Sequence, residues 1–381
     1  MRTLLQEKAL GVLYGVAIGD AIGGSTEGRQ PEMILSRFDG YVEDFVGPFM
    51  ENWKTARLIA PFHKGHGHIT DDTLLTLAFI NCYLAKRDHL DAFDMAELLV
   101  PEIADKPIWI PELEKETLLV FRLFYAEKWL LHRLRLANAD PREAGVGNIV
   151  NCGAAMYMSP VGVVNAGNPE RAYMEAIEVA GAHQSSYGRE AAGVMAAAVA
   201  EAMRPSATVE SVVETCLRLA KDGTRQAIAA VCAEAVKYTD WREAIAPLRK
   251  AMAPFDTVGE GYKDVNLGAR RPSRIHSIEE LPLALGMLVV ARGDYVNTVL
   301  GGVNYGRDSD SIAGMGGAIA GALGGVSAIP EEWRATVATA SRKDLETPAL
   351  ELAKVAEEVF AKDQAKWNHF VGQFQELRGA Q

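Results

Sequence analysis

Cysteine is scarce in this chain. The 381 residues hold four, Cys82, Cys152, Cys216 and Cys232, and none stands in a CxxC pair. That number and spacing exclude a disulfide framework, and the apolar setting of each marks a buried thiol. A reducing compartment suits this pattern, so a cytoplasmic location is expected. Positive charge is also short: 39 Lys and Arg against 50 Asp and Glu give a formal net charge of −11. Apart from Arg270, Arg271 and Arg274 the basic residues are dispersed, and the stripe that a nucleic-acid surface needs is missing. Long apolar runs are lacking too. Residues 9–19 follow Lys8, but Glu7 precedes the run and Asp20 cuts it where a signal peptide should continue towards cleavage. Residues 312–328 are mostly Gly and Ala, with no flanking aromatic belt. No membrane partner is therefore expected. Sustained alternation of apolar and polar residues, the mark of a half-buried strand, is scarce.

What is plentiful is helical spacing. Apolar residues recur at helical intervals over 74–84, 91–99, 112–137, 169–182, 189–203, 209–221, 226–237, 241–252, 281–291, 311–323 and 331–362. With 49% apolar residues to fill a core, the expected fold is all-α, a compact orthogonal multi-helix bundle. It is expected to form one domain over 1–381, with 326–381 a C-terminal helical extension. Gly11, Gly15 and Gly19, and Gly314, Gly317, Gly321 and Gly324, recur at three- and four-residue steps. Interior glycine costs a helix about 1 kcal/mol relative to Ala, so their accumulation marks two helices that cross closely. Residues 38–68 and 254–280 are irregular and rich in Gly, Pro and aromatics, and are read as lids over a site.

Two short acidic runs carry the chemistry: Thr70-Asp71-Asp72-Thr73 and Asp308-Ser309-Asp310-Ser311. Each opens a helix-like segment, and either alone reads as ordinary helix capping. Brought together, four carboxylates would repel one another unless a cation lay between them. Oxygen-only donors suit Mg²⁺ or Mn²⁺ over Zn²⁺, and two such ions sharing carboxylates would sit roughly 3.5–4 Å apart.

These runs, with Gly15-Val16-Ala17-Ile18-Gly19-Asp20-Ala21-Ile22-Gly23, Glu27, and a Gly153-Ala154-Ala155-Met156 block followed by Pro160 and Gly162, stand in an order that resembles the ADP-ribosylglycohydrolases. The likeness spans about residues 8–325. It implies an all-α fold with two Mg²⁺ or Mn²⁺ ions held by Thr70, Asp71, Asp72, Asp308, Asp310 and Ser311. Ser311 stands where the family has Thr and keeps the hydroxyl. Cys152 and Tyr157 stand where the family's middle block has Asn and Arg, so the substrate side diverges. The resemblance implies that substrate contacts fall at Gly153, Ala154, Met156 and His183, and that Glu27 approaches the ions.

The implied reaction is hydrolysis of a glycosidic bond at the ribose anomeric carbon. The substrate would be an ADP-ribosylated protein or a small ADP-ribosyl or ribosyl metabolite. Asp71 and Asp310 are candidate acid or base groups; a metal-bound carboxylate is a poor base, which keeps Glu27 in that role too. His63, His66 and His68 precede the first acidic run in a Gly-rich segment, where the nearest, His68, is read as a substrate contact rather than a Zn²⁺ ligand. Tyr157, Gln184 and Tyr187 would line a purine pocket or fill core. Asp20 is assigned to structure, holding the turn after it. Two other readings stand beside this one. A non-catalytic ADP-ribose-binding or crystallin-like member of the same fold would lose ligands. A DxDx[TV] phosphatase would need a buried strand before Asp308, for which residues 295–303 are the one possibility.

Overall fold

The structure, a computed structural model, describes residues 2–55, 63–256 and 278–379. It is helical almost throughout, with one two-stranded antiparallel sheet among the described residues. At its centre the N-terminal helix Leu4–Gly23 crosses the glycine helix Ser309–Gly324. A Cβ added at Gly11 would lie 2.1 Å from the Gly321 carbonyl oxygen, at Gly15 2.2 Å from that of Gly317, and at Gly19 2.2 Å from that of Ala313. Each step of four along one helix meets a step of four back along the other, so the two run antiparallel with their backbones in contact. The expected crossing pair is thus the core of the molecule, and its glycines are there because no side chain fits.

The remaining helices pack around this pair. Tyr295–Tyr305 folds back on the glycine helix, and Glu280–Val290 packs on both the glycine helix and Asp222–Ala235. Ser186–Ala202, rich in alanine and buried on nearly every face, forms a hairpin with Pro169–Ala180. The final helix, Glu346–Gly379, buries Ala349, Leu352, Ala353, Val355, Ala356 and Val359. Its later turns leave Trp367, Phe370 and Phe374 exposed.

Three expectations are corrected. Residues 112–137 are not one helix. Strands Pro107–Ile110 and Lys115–Leu118 pair in register Ile110↔Lys115, Glu112 lies in the turn between them, and helix resumes only at Tyr125. Pro107 and Pro111 lack the donor an interior helical turn needs, and Ile108, Trp109, Ile110 and Thr117 favour extended backbone. Residues 295–303 form a helix, so no strand leads into Asp308. Residues 331–362 divide between Glu331–Ser341 and Glu346–Gly379, because the Asp344 carboxylate accepts the Glu346 and Thr347 N–H groups and starts a second helix. Of the two segments read as lids, 56–62 and 257–277 lie outside the described residues.

Candidate metal centre

Thr70 is the N-cap of helix Asp71–Lys86, its hydroxyl accepting the Asp72 N–H. A second cap comes from elsewhere in the chain. Asp20, in the last turn of the N-terminal helix, accepts the N–H groups of Thr70 (3.0 Å) and Thr73 (3.1 Å) and the Thr73 hydroxyl. Asp20 is therefore structural, but it fixes the start of the acidic helix rather than the turn that follows it. The glycine helix begins beside this point. Thr26 donates to Ser309 Oγ at 2.9 Å, and Ser309 to the Gly23 carbonyl at 2.9 Å.

These anchors bring the two acidic runs together. Ser311 Oγ donates to Asp72 Oδ2 at 3.0 Å. Cys152, which opens the 3-10 helix Cys152–Tyr157, places its sulfur 3.1 Å from Asp308 Oδ2 and 3.4 Å from Ser311 Oγ. Glu280, first residue of its helix, shares a cluster with Cys152 and Asp308 in which one donor atom from each lies within 4.8 Å of the others. Helices that begin at Asp71, Ser309 and Glu280 thus start beside this cluster, each turning a positive dipole end towards buried carboxylates.

One side of the cluster is compensated by cationic groups. His63 Nε2 lies 2.9 Å from Glu27 Oε2 and 3.3 Å from Asp310 Oδ2, and its Nδ1 lies 3.0 Å from Glu112 Oε1. Burial opposes the charged imidazole, but Glu112, Asp310 and Glu27 outweigh it and hold its pKa well above the ordinary value. Arg122, wholly buried, pairs with Glu112 and lies 3.0 Å from Asp71 Oδ1. Although burial works the other way, Arg122 and His63 draw Glu112 down to about 2.

Around Asp72 carboxylates dominate. Burial, then Asp310, Asp20, Asp71 and Asp308, pushes the Asp72 carboxyl well above the carboxylate range. Burial and Asp310 raise Asp20 to about 7. So much carboxylate, buried and mutually raised, is the electrostatic setting in which a cation binds. Asp, Thr and Ser oxygens make the donor set hard, as Mg²⁺ and Mn²⁺ require.

Most of the candidate substrate residues are buried beside this centre or in the core. His183 is fully buried, and burial takes its pKa down to about 4. Its neutral ring donates from Nε2 to the Ala126 carbonyl at 3.1 Å and accepts the Tyr157 hydroxyl at Nδ1 at 3.0 Å. Both nitrogens are thereby engaged within the core. Gly153, Ala154 and Met156 are buried in the short helix behind the acidic runs. A Cβ at Gly153 would lie 2.1 Å from Glu127 Oε1, so glycine here makes room for that carboxylate. Gln184 is buried, donating to the Ile149 carbonyl at 3.0 Å and to Asn151 Oδ1 at 2.7 Å. His68 Nδ1 bonds the Gly65 carbonyl at 2.7 Å, and of the three histidines only His63 joins a cluster of candidate ligands among the described residues.

Sequence reasoning overlooked Glu112, Arg122, Glu127 and Glu280, and passed over His63 in favour of His68. Glu112 and Arg122 were hidden inside a supposed amphipathic helix. Charged residues within otherwise apolar stretches, Arg122 in Leu-Leu-Val-Phe-Arg-Leu-Phe above all, were the available signal.

The chain belongs to the ADP-ribosylglycohydrolase family, whose model matches residues 1–368. It is similar to the uncharacterized protein YegU of Escherichia coli (strain K12), with 25% identity over 351 residues, 91% of this chain and 97% of that protein. ADP-ribosylarginine hydrolase Tri1 of Pseudomonas putida (strain GB-1) is 26% identical over 373 residues, 94% of this chain and 80% of that one. A solved chain titled ADP-ribosylglycohydrolase-related protein complex shares the fold, with a TM-score of 0.57 and 20% identity over 92% of this chain and 99% of that one. No helix among the described residues is long and apolar enough to cross a membrane.

Proposed function

We propose that the chain is a hydrolase dependent on two Mg²⁺ or Mn²⁺ ions, cleaving the glycosidic bond at the ribose anomeric carbon of an ADP-ribosylated protein or an ADP-ribose-like metabolite. The observation that carries this reading is the Ser311–Asp72 contact at 3.0 Å, which unites the two acidic runs. Thr70, Asp71, Asp72, Asp308, Asp310 and Ser311 would hold the ions. When bound, the ions supply a Lewis-acid grip on vicinal ribose hydroxyls and stabilise charge as the bond breaks.

The chain's own groups divide the remaining work. Arg122 offsets the charge of Asp71 and fixes its position. His63 fixes Glu27, and because the imidazole is held in its charged form it orients that carboxylate rather than acting as the base. Glu27 is then the candidate to orient and deprotonate the attacking water, since Asp71 and Asp310 are assigned as ligands. The meeting of the two acidic runs at Ser311 and Asp72 favours catalysis over a purely binding role. The likeness to an ADP-ribosylarginine hydrolase makes arginine the first leaving group to assay. The four unpaired, scattered thiols support a cytoplasmic location.

The test measures free ADP-ribose released from ADP-ribosylated arginine, ADP-ribosylated serine and simple nucleosides, with Mg²⁺, Mn²⁺ or chelator. Metal-dependent release from one of them supports the reading and names the leaving group. No release from any, in protein that binds Mn²⁺, would sink it.

A further inference from the structure

Behind the hard-oxygen centre lies a group with different chemistry. Glu280 is completely buried, and neither of its carboxylate oxygens has a hydrogen-bond partner among the described residues. Its neighbour Glu279 is fully used, accepting from the Tyr305 hydroxyl at 2.6 Å and pairing with Arg307 at 2.8 Å. A buried polar group left unsatisfied is destabilising, a charged one more so, and Glu280 therefore needs a reason to be there. It is aimed into a cluster with Asp308 and Cys152, where donor atoms from all three lie within 4.8 Å of one another. Cys152 is held in place from below: Asn151 caps its short helix by accepting the Gly153 N–H at 3.1 Å. Its sulfur is 3.1 Å from Asp308 Oδ2, near enough for both to bind one ion.

We propose that Cys152, Glu280 and Asp308 form a mixed sulfur and oxygen cation site, so that the Asp308 side of the centre takes a thiophilic divalent metal such as Co²⁺ or Zn²⁺ more tightly than Mg²⁺ or Mn²⁺. The inference rests on reading the cleft as a metal centre and adds the class of metal that it takes. A thiolate is a soft ligand that Mg²⁺ disfavours and the later first-row ions accept. Binding converts the Cys152 thiol to thiolate, releasing its proton to solvent. The same ion would give the Glu280 carboxylate a partner.

The experiment is titration of the full chain with CoCl₂, followed by near-ultraviolet absorbance and by proton release into weak buffer. A thiolate-to-Co²⁺ charge-transfer band saturating at one thiolate-bound ion per chain is expected, lost in Cys152→Ala. Glu280→Gln should keep the band while weakening Co²⁺ at least tenfold, which separates ligand loss from misfolding. A band that persists in Cys152→Ala would assign it to another cysteine and overturn the proposal. Co²⁺ binding by calorimetry with no such band would also overturn it while leaving the oxygen-ligated centre standing. A band in protein that releases no ADP-ribose from any substrate would support this site and remove the proposed reaction instead.

Discussion

Ser311 Oγ donates a hydrogen bond to Asp72 Oδ2 at 3.0 Å, joining the first turns of two helices through residues 239 positions apart. A bond to a carboxylate is worth about 1.5–3 kcal/mol, so Ser311→Ala should weaken Mn²⁺ roughly tenfold to a hundredfold. Ser311→Thr keeps the hydroxyl and should restore affinity. Isothermal titration with Mn²⁺ checks both, and equal affinity in Ala and wild type would remove Ser311 from the ligand set.

Asp310→Asn and Asp71→Asn should each lower turnover by at least about a hundredfold, the scale of losing a positioned acid–base or ligand group. Helical circular dichroism should be unchanged, because neither side chain caps its own helix in the way Thr70 does. Near-normal turnover in Asp310→Asn would refute its role.

Divalent cation should stabilise the fold, since the raised Asp72 carboxyl signals charge that folding leaves poorly compensated. At a hundredfold excess over Kd the gain is about 2.7 kcal/mol by mass action. Thermal unfolding with Mn²⁺ and then with chelator reads it directly. A melting temperature indifferent to both would argue against a metal centre here.

Gly15→Ala tests the crossing at the core. The new Cβ would sit 2.2 Å from the Gly317 carbonyl oxygen, part of a backbone that cannot rotate aside. Overpacking of this kind costs about 1–3 kcal/mol and often more where backbone is the obstacle. Gly314→Ala is the control, with its nearest neighbour at 3.6 Å. Urea unfolding should separate the two, and equal midpoints would mean that the helices can part without cost.

His89 couples stability to pH away from the metal centre. Its Nδ1 meets Glu175 and its Nε2 lies 2.7 Å from Asp363, joining the final helix to the body of the fold. Burial opposes the charged ring, but these two carboxylates prevail over it and over nearby Arg171, so its pKa is raised. The stabilisation is therefore full below the unfolded value of about 6.5 and fades as pH rises through the higher folded one. His89→Asn should flatten that slope in urea midpoints measured across this range; an unchanged slope would place the titration elsewhere.

Much of the fold was legible in the chain because helical periodicity and capping are local properties. The residues of helix Trp241–Met252 can be read from spacing alone, and the glycine steps at 11, 15 and 19 and at 314, 317 and 321 announce a close helix pair. Where local signals conflict, at 107–121, apolar spacing suggested helix while Pro111 and the β-branched residues made a hairpin. That single difference concealed Glu112 and Arg122, since a charge inside a presumed amphipathic helix has an obvious place on its solvent face.

The sequence by itself determined the helices, the small-residue core and the two acidic runs, for each depends on residues close in the chain. Only the tertiary structure decided that Asp71 is balanced by Arg122 while Asp72 has Ser311 as its neighbour, that His63 rather than His68 reaches Asp310, and that Cys152 faces Asp308 and Glu280. Charge compensation depends on distance in space, and a pattern along the chain carries no information about distances set by helices that meet only after folding.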